Sequence, residues 1–278
     1  MDSRFVETLL AVVDIGSYAG AARRQNLTPA AVSQRVKSLE IALGKALFVR
    51  TGQQVAPTPA CHSILRRLRH IVDEVDLIHN DLDPSGLTGR LRLGAISTAL
   101  ADRVPDILKR AAHDAPQAAI SIIPGTSASL FEKLEAAELD ASLLIRPPFQ
   151  LPKSLYCVSL ETQPFVFVSA ATDDRSIAEI MARERALIYD PASWGGKMLQ
   201  PWVLQNLRPD RILCELDALE TIAIGVGQGL GYSVLPDWPG LAGLAEVRRR
   251  PLPGIKLNRE LVMLHRSLPN AVIKLVTR

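Results

Sequence analysis

The sequence is poor in cysteine and has no long apolar run. Its three cysteines, Cys61, Cys157 and Cys214, are too few and too scattered for a disulfide framework, which fits a reduced cytoplasm. No run of about 18 apolar residues is present, which excludes a membrane-spanning helix. The first residues have no apolar region ahead of a small-residue cleavage site, so we expect no signal peptide.

Motifs of several enzyme classes are also missing. The sequence contains no Gly-x-Ser-x-Gly, His-Glu-x-x-His or Cys-x-x-Cys motif, and its five histidines have no ligand spacing. The glycines between positions 225 and 231 miss the register of a dinucleotide-binding loop, so we interpret them as a helix stop and a tight turn. We therefore expect no catalytic role, no cofactor and no metal, and we interpret the cysteines as core residues rather than a redox pair.

Positive charge is concentrated at one end of the chain. Residues 1–70 contain ten Lys and Arg against four Asp and Glu, a net charge of +6, whereas the remaining residues carry a net charge of −3. This asymmetry indicates a basic module for a polyanion, followed by a near-neutral domain. A basic face is also an ordinary solvated surface, so the charge alone does not decide between these interpretations.

Three short helices are predicted in the first 44 residues. Apolar residues at helical spacing predict a first helix that ends at Gly16. Ser17 caps a second helix, which runs to about residue 25 and is rich in small residues that let another helix approach closely. Thr28 caps a third helix, with Pro29 at its first position, where the missing N–H costs nothing, and Gly44 ends it.

The outer face of the third helix is small and polar, and two short strands after it predict a wing. Such a helix suits the major groove of DNA, where Ser, Gln and Lys side chains read base edges or contact phosphates. A helical bundle with an ordinary solvated face is the alternative, but it gives no reason for the basic wing. The residues that we expect at DNA are Thr28, Pro29, Ala30, Ser33, Gln34 and Lys37 of the helix and Arg50 and Gln53 of the wing.

A long helix is predicted over residues 59–82, followed by a linker over residues 83–86. Its apolar residues are spaced alternately four and three positions apart, which favours pairing of two copies along a heptad seam. An amphipathic helix packed on its own domain is the alternative interpretation. The seam consists of Ile64, Leu68, Ile71, Val75, Ile78 and Leu82.

From residue 90 onwards, strand-like and helix-like runs alternate. This alternation predicts parallel sheets that are covered by helices. The strand-like runs are residues 91–95, 119–123, 142–145, 165–169, 186–189, 212–215, 232–235 and 261–264. The helix-like runs between them are residues 99–112, 128–137, 176–184, 196–206 and 218–227.

The N-terminal part resembles the LysR-type transcriptional regulators. The resemblance is carried by Phe5, the segment Ser-Tyr-Ala-Gly-Ala-Ala-Arg at residues 17–23, the segment Leu-Thr-Pro-Ala-Ala-Val-Ser-Gln-Arg-Val-Lys-Ser-Leu-Glu at residues 27–40, Leu43-Gly44 and the segment Leu-Phe-Val-Arg at residues 47–50. It implies an α+β chain of two parts, a winged helix-turn-helix (residues 1–58) and an effector-binding domain (87–278), joined by a linker and dimerisation helix (59–86). The effector-binding domain would be an α/β domain of two lobes, like a type 2 periplasmic solute-binding protein.

The resemblance implies that a small effector lies between these two lobes. Lobe I would comprise about residues 90–162 and 260–278, and lobe II about residues 163–259, with the chain crossing near residues 161–164 and 257–261. Because open α/β sheets bind ligands beyond the carboxyl ends of their strands, and helix N-termini hold anions, the site should include Ser97, Thr98, Thr126, Ser127, Arg146, Ser193, Trp194 and Gly195.

Local roles remain the alternative for each of these residues. Ser127 stands where a helix N-cap is expected, and Trp194 could pack between a loop and its helix. Two interpretations stay open for Arg146, which could pair with the carboxylate of an effector or with a neighbouring acid.

Together these observations predict a cytoplasmic transcriptional regulator that binds double-stranded promoter DNA and is modulated by an effector. We expect the effector to be an amino acid or another carboxylate, the linker helix to form a homodimer, and no membrane to be involved; the resemblance alone implies a homotetramer. The alternative is a cytoplasmic small-molecule-binding protein without a transcriptional role.

Overall fold

A computed structural model of the chain describes residues 2–51, 54–81, 89–252 and 256–277. These residues form two compact units, an N-terminal unit of residues 2–81 that also includes residues 135–138, and a C-terminal unit of the remaining described residues. Gln53, Leu82 and the predicted linker lie outside the described residues, and so does the side chain of Arg50. Within the described part of the chain, no helix has the length and apolar character needed to cross a membrane.

The N-terminal unit contains the predicted helices and wing. Its elements are α1 (Ser3–Ile15), α2 (Tyr18–Gln25), α3 (Pro29–Leu43), β1 (Phe48–Thr51), β2 (Gln54–Pro57) and α4 (Pro59–Asp81). The predicted caps are confirmed: the Ser17 hydroxyl accepts the backbone N–H of Gly20 at 3.0 Å, and the Thr28 hydroxyl accepts that of Ala31 at 3.2 Å. Gly16 ends α1 with a φ of 71°, a left-handed conformation that glycine adopts without a steric penalty.

Helices α1 and α3 form the core of this unit. Leu9 and Val12 of α1 are buried against Val36 and Leu39 of α3. Ala21 of α2 is fully buried, and its small side chain lets the helices approach closely, as the sequence predicts. Because one face of α3 is buried in this way, its opposite face lies in solvent.

The apolar residues of α4 lie on two faces. Leu65 and Leu68 are buried in the core of the N-terminal unit, where Leu68 is only 3% exposed. Ile71 and Ile78, one heptad apart, are 37% and 58% exposed. The prediction of one continuous seam is therefore wrong for Leu68, because the first half of α4 packs against α1 and uses that side chain there.

The C-terminal unit alternates strands and helices along most of its length. Its elements are β3 (Gly89–Ala95), α5 (Ser97–Asp102), α6 (Val104–Asp114), β4 (Ala118–Pro124), α7 (Ser127–Glu135), β5 (Ala141–Ile145), β6 (Tyr156–Ala170), α8 (Ile177–Arg183), β7 (Ala186–Tyr189), α9 (Trp194–Asn206), β8 (Ile212–Leu216), α10 (Leu219–Gly227), β9 (Ser233–Pro236), α11 (Pro239–Ala242), β10 (Val247–Pro251), β11 (Asn258–His265) and α12 (Asn270–Thr277).

Two hydrophobic cores divide this unit into two lobes. In the first lobe, β3 lies between β4 and β5 and is parallel to both, and β11 is antiparallel to β5. In the second lobe, β7 and β8 are parallel, and β9 and β10 are antiparallel to β6. Residues 156–164 of β6 pair with β11, and residues 165–170 pair with β9 and β10. Strand β6 thus carries the chain into the second lobe, and β11 carries it back.

Several details differ from the sequence-based expectation. The expected parallel pairing is wrong for β6, β9 and β11, because β11 is antiparallel to β5 and β6, and β9 is antiparallel to β6. The helix expected over residues 99–112 is two helices that meet at Arg103, since Pro105 has no N–H to continue the first one. Strand β10, helix α12 and the first half of β6 were not expected.

Candidate functional site

The outer face of α3 is polar and open to solvent. The six residues predicted to meet DNA from this helix are all exposed: Thr28, Pro29, Ala30, Ser33, Gln34 and Lys37. Positions 30, 33, 34 and 37 fall on one side of the helix because they are three and four residues apart. Arg23 and Arg24 at the end of α2 are exposed as well, so the surface combines hydrogen-bonding groups with positive charge.

A cavity of about 240 Å³ lies between the two lobes of the C-terminal unit. The first lobe lines it where β3 leads into α5 and at the start of α7, and the second lobe lines it beyond the ends of β7 and β8. The lining residues are Ile96, Ser97, Thr98, Gly125, Ser127, Tyr189, Asp217, Ala218, Leu219 and Arg259.

Arg259 of β11 is the buried cation of this cavity, with 1% of its surface exposed. Its guanidinium donates to the Gln163 side-chain oxygen at 2.7 Å, to the Thr98 hydroxyl at 3.1 Å and to the Tyr189 hydroxyl at 3.4 Å. Burial lowers the pKa of Arg259, but a guanidinium stays protonated in proteins. One positive charge therefore contacts the first lobe, the second lobe and the crossing strand β6 at the same time.

Asp217 and Tyr189 form the second-lobe side of the cavity. Burial raises the pKa of Asp217, and the nearby Asp190 carboxylate acts in the same direction, whereas Ser193 and Arg259 act against them. Burial also raises the pKa of Tyr189, so its hydroxyl stays neutral and can both donate and accept a hydrogen bond.

Three of the eight residues predicted at the effector site line this cavity. They are Ser97, Thr98 and Ser127. Thr98 is buried, and its hydroxyl accepts from Arg259. The Ser127 hydroxyl accepts the backbone N–H of Ile145 at 3.2 Å. The rule that ligands bind beyond the carboxyl ends of strands, the strand-end rule, thus leads to cavity-lining residues after β3 and β4.

Thr126 and Arg146 do not line the cavity. The Thr126 hydroxyl accepts the Ser129 backbone N–H at 3.2 Å, so the cap of α7 that was expected at Ser127 is made by its neighbour. The Arg146 guanidinium forms an ion pair with Glu260, with Nη2 at 2.8 Å from Oε1. Its hydrogen bond lowers the pKa of Glu260 to about 2. Arg146 thus has a neighbouring acid as its partner, the second of its two interpretations.

Ser193, Trp194 and Gly195 begin α9 and also lie outside the cavity lining. The Ser193 hydroxyl accepts the Gly196 N–H at 3.0 Å and donates to the Asp190 carbonyl at 2.8 Å, so it acts as a cap. The Trp194 ring packs against two phenylalanine rings of the first lobe, Phe131 and Phe149, with centroid distances of 5.9 and 5.5 Å. A Cβ atom at Gly195 would meet the Tyr189 hydroxyl at 2.3 Å, so a larger residue at this position would displace the Tyr189 ring.

Burial changes the pKa of two of the cysteines. Burial raises the pKa of Cys61 to about 11 and also raises that of Cys157, and a protonated thiol is a poor nucleophile. Within the described ranges, no group of three or more His, Cys, Asp or Glu side chains is placed to hold a metal ion.

Sequence reasoning missed the cavity residues Tyr189, Asp217 and Arg259. The first two stand at the ends of β7 and β8, so the strand-end rule would have found them if it had been applied to the second lobe. Arg259 stands near the beginning of a crossing strand, where that rule gives no signal. A charged residue in the predicted crossing segment 257–261 was the available clue.

Two family models match the chain. A model described as a bacterial regulatory helix-turn-helix protein of the lysR family matches residues 3–62, and a model of the LysR substrate binding domain matches residues 84–273. The first match disfavours the alternative of a binding protein without a transcriptional role.

Individual relatives agree with these models. The transcriptional regulator IlvR of Caulobacter vibrioides is 30% identical over 247 residues, which span 85% of this chain and 82% of IlvR. A full-length OxyR variant from Pseudomonas aeruginosa is 24% identical and covers 100% of this chain and 93% of its own, with a TM-score of 0.75. Full-length LysG from Corynebacterium glutamicum with bound effector arginine is 20% identical, covers 100% and 97% of the two chains and has a TM-score of 0.64. These two structures share the fold of this chain.

Proposed function

Because the chain belongs to the LysR family of DNA-binding transcriptional regulators with an effector-binding domain, we propose that α3 reads promoter DNA while a small carboxylate-bearing molecule occupies the cavity between the lobes. The proposal assigns no catalytic role to the chain. A regulator of this kind works where promoter DNA is, so we place it in the cytoplasm.

The position of Arg259 carries this proposal. Its guanidinium contacts Thr98 in the first lobe, Tyr189 in the second and Gln163 on the crossing strand. A carboxylate that accepts hydrogen bonds from this guanidinium would change the contacts that Arg259 makes with both lobes. A ligand shifts a conformational equilibrium by no more than its difference in affinity for the two states, and a contact shared by both lobes supplies such a difference.

Replacing Thr98 with valine should abolish most of the response to the effector. Valine has nearly the same shape but no hydroxyl, so Arg259 loses a buried acceptor and the ligand carboxylate loses a donor. We expect the affinity for a metabolite identified by thermal-shift screening to fall roughly 5- to 150-fold, corresponding to about 1–3 kcal/mol. Isothermal titration measures the affinity, and a gel-shift assay without ligand should show unchanged DNA binding.

Thr126→Val is the matched control for this experiment. It removes a hydroxyl from the same lobe, but that hydroxyl caps α7 outside the cavity. This variant should bind the metabolite as the wild type does. Normal affinity in Thr98→Val would place the effector somewhere else.

Gln34 and Lys37 are proposed to have different roles at DNA, although both are exposed on the same face of α3. Gln34→Ala should cost about 1–3 kcal/mol at the specific promoter site and leave non-specific binding intact, as expected for a side chain that reads a base edge. Lys37→Ala should weaken binding to all sequences. It should also reduce the slope of log K against log salt concentration by about one unit, as expected for a phosphate contact.

Fluorescence anisotropy with promoter and scrambled duplexes at several salt concentrations separates these roles. The two variants serve as controls for each other because they change neighbouring positions of one helix face. Equal losses on both duplexes for Gln34→Ala would remove this residue from base recognition.

We propose further that two copies of the chain pair through α4. Ile71 and Ile78 support this proposal, because they are exposed apolar residues one heptad apart and such spacing suits a paired helix. An exposed isoleucine by itself is ordinary, so the repeat rather than either residue is the argument.

A further inference from the structure

The cavity carries one positive and one negative side chain. Arg259 lies near the start of β11, and Asp217 directly follows β8. The three acceptors of the Arg259 guanidinium are neutral oxygens, on Gln163, Thr98 and Tyr189. In the described part of the chain, no carboxylate accepts a hydrogen bond from it. A guanidinium that is 1% exposed has lost its hydration, and an anionic ligand group in the cavity would offset that cost.

The beginning of α10 adds to the attraction for an anion. Ala218 and Leu219 line the cavity, and α10 starts there without a side-chain cap. The backbone N–H groups in the first turn of a helix have no partner within the helix, and they favour a carboxylate. This helix terminus and the Arg259 guanidinium open onto the same space, so they are placed to act on one ligand group.

Asp217, in contrast, favours a positively charged ligand group. Its carboxylate is partly buried, next to the like charge of Asp190. A simple anion in the cavity would add a third negative charge to this wall. A cationic ligand group beside Asp217 would instead relieve the repulsion and form a charge-assisted hydrogen bond.

We propose that the effector is a zwitterion with adjacent carboxylate and ammonium groups, an α-amino acid, whose carboxylate binds Arg259 and whose ammonium binds Asp217. This inference rests on the proposed function, since it assigns the chemistry of the ligand in the same cavity. The charges of Arg259 and Asp217 are opposite, and so are the two charges of the ligand, so each ligand charge would have an oppositely charged side chain of the cavity as its partner.

The remaining lining selects the side chain of that amino acid. Of the described residues around the cavity, Arg259, Asp217 and Tyr189 are the ionisable ones, and the first two are used by the main-chain groups of the ligand. Ile96 and Leu219 are apolar, and the volume of about 240 Å³ is below the roughly 300–1,000 Å³ of sites for drug-sized ligands. The lining therefore suits a small, neutral side chain and gives no partner to a charged one.

Calorimetric titration of the full-length chain tests this assignment. The neutral probes are L-alanine, L-serine, L-threonine, L-valine and L-leucine, and the charged ones are L-arginine and L-glutamate. Two analogues of valine remove one charge each: 3-methylbutanoate lacks the ammonium group, and 2-methylpropan-1-amine lacks the carboxylate. We expect a neutral amino acid to bind at least about 30-fold more tightly than either analogue, because truncating one partner of a buried charge pair costs about 2 kcal/mol or more.

Asp217→Asn supplies the second arm of the experiment. It keeps the size of the side chain and removes its charge, so the preference for the amino acid over 3-methylbutanoate should shrink by at least about 30-fold. Asp210→Asn is the matched control, because Asp210 lies in the same lobe, is exposed and pairs with Arg208. This control should bind as the wild type does.

Each outcome bears on the inference. Tighter binding of neutral amino acids together with the narrowed preference in Asp217→Asn supports it. Equal binding of 3-methylbutanoate, stronger binding of a charged amino acid, or no binding of any neutral amino acid overturns it.

If an anion such as 3-methylbutanoate binds alone and loses affinity in Thr98→Val, the proposed function stands without the zwitterion. If bound probes are insensitive to Thr98→Val, the cavity itself is the wrong site. The ligand series decides the matter even if Asp217→Asn does not fold.

Discussion

Replacing Gly196 with alanine should destabilise the C-terminal unit by about 3 kcal/mol or more. A Cβ atom at this position would lie 1.9 Å from the Asp190 carbonyl oxygen. The carbonyl belongs to the backbone, and the backbone fixes the position of the Cβ atom, so neither can rotate away. The Gly196 N–H also donates to the capping Ser193 hydroxyl. Relieving the overlap would therefore displace the start of α9. Tryptophan fluorescence during urea unfolding measures the loss, because Trp194, Trp202 and Trp238 all lie in the C-terminal unit.

Gly243→Ala is the matched control. Gly243 has a right-handed helical conformation, and the nearest atom to an added Cβ is 3.6 Å away. The free energy of unfolding should then stay within about 0.5 kcal/mol of the wild type. Equal unfolding midpoints for the two variants would mean that the backbone around Asp190 and Gly196 is not packed as described.

Replacing Leu68 with aspartate should impair folding, whereas replacing Ile71 and Ile78 with aspartate should impair pairing of two copies. Leu68 lies in the core of the N-terminal unit, and burying an unpaired carboxylate there should cost about 3 kcal/mol or more. Leu68→Asp should therefore abolish DNA binding through loss of folding. Ile71 and Ile78 are exposed, so the double variant Ile71→Asp, Ile78→Asp should keep its fold and lose the proposed pairing through α4.

Light scattering measures the molar mass, and far-ultraviolet circular dichroism measures the helix content. Ile41→Asp is the control for an added charge, since Ile41 is a 73% exposed isoleucine on α3, away from α4. This control should keep the mass of the wild type. A full dimer in the double variant would rule out α4 as the pairing surface, and normal DNA binding in Leu68→Asp would contradict the burial of that residue.

The N-terminal unit was predictable from the sequence because its signals are local. Ser17, Thr28 and Gly44 act on backbone groups a few residues away, so their effect can be seen in a short window. The partner of the apolar face of α4 was harder to predict. Its spacing predicts a buried stripe but not the partner, and Leu68 packs within its own unit because α1 lies beside it.

The sequence predicts the first-lobe wall of the cavity but not its buried cation, because the cation is held by contacts between distant parts of the chain. Ser97 and Thr98 follow a strand whose end can be recognised in the sequence. The Arg259 guanidinium donates to Gln163, which is 96 residues away in the sequence. Arg146 is paired with Glu260, which is 114 residues away. No local pattern encodes contacts over such distances. They arise because β6 and β11 lie side by side where the chain crosses.

Strand β10 illustrates a different limit. Its sequence, Val-Arg-Arg-Arg-Pro, has none of the apolar alternation of a strand. It nevertheless pairs with β6, because its guanidinium groups find acceptors outside the strand. Arg248 donates to the Asp173 carbonyl, and Arg250 donates to the Arg175 carbonyl. The tertiary contacts thus override a weak local preference.

The position of β11 has a consequence for the nascent chain on the ribosome. β11 lies between β5 and β6 in the first lobe, and α12 adds Val276 to the same core. The second lobe, which is made of residues 165–252, can be complete before β11 has been synthesised. The first lobe begins earlier but finishes later, and until then β5 and β6 each present an edge without its β11 partner, which invites aggregation. A translational stall between residues 252 and 265 would prolong this exposure and make the unfinished first lobe a substrate for chaperones.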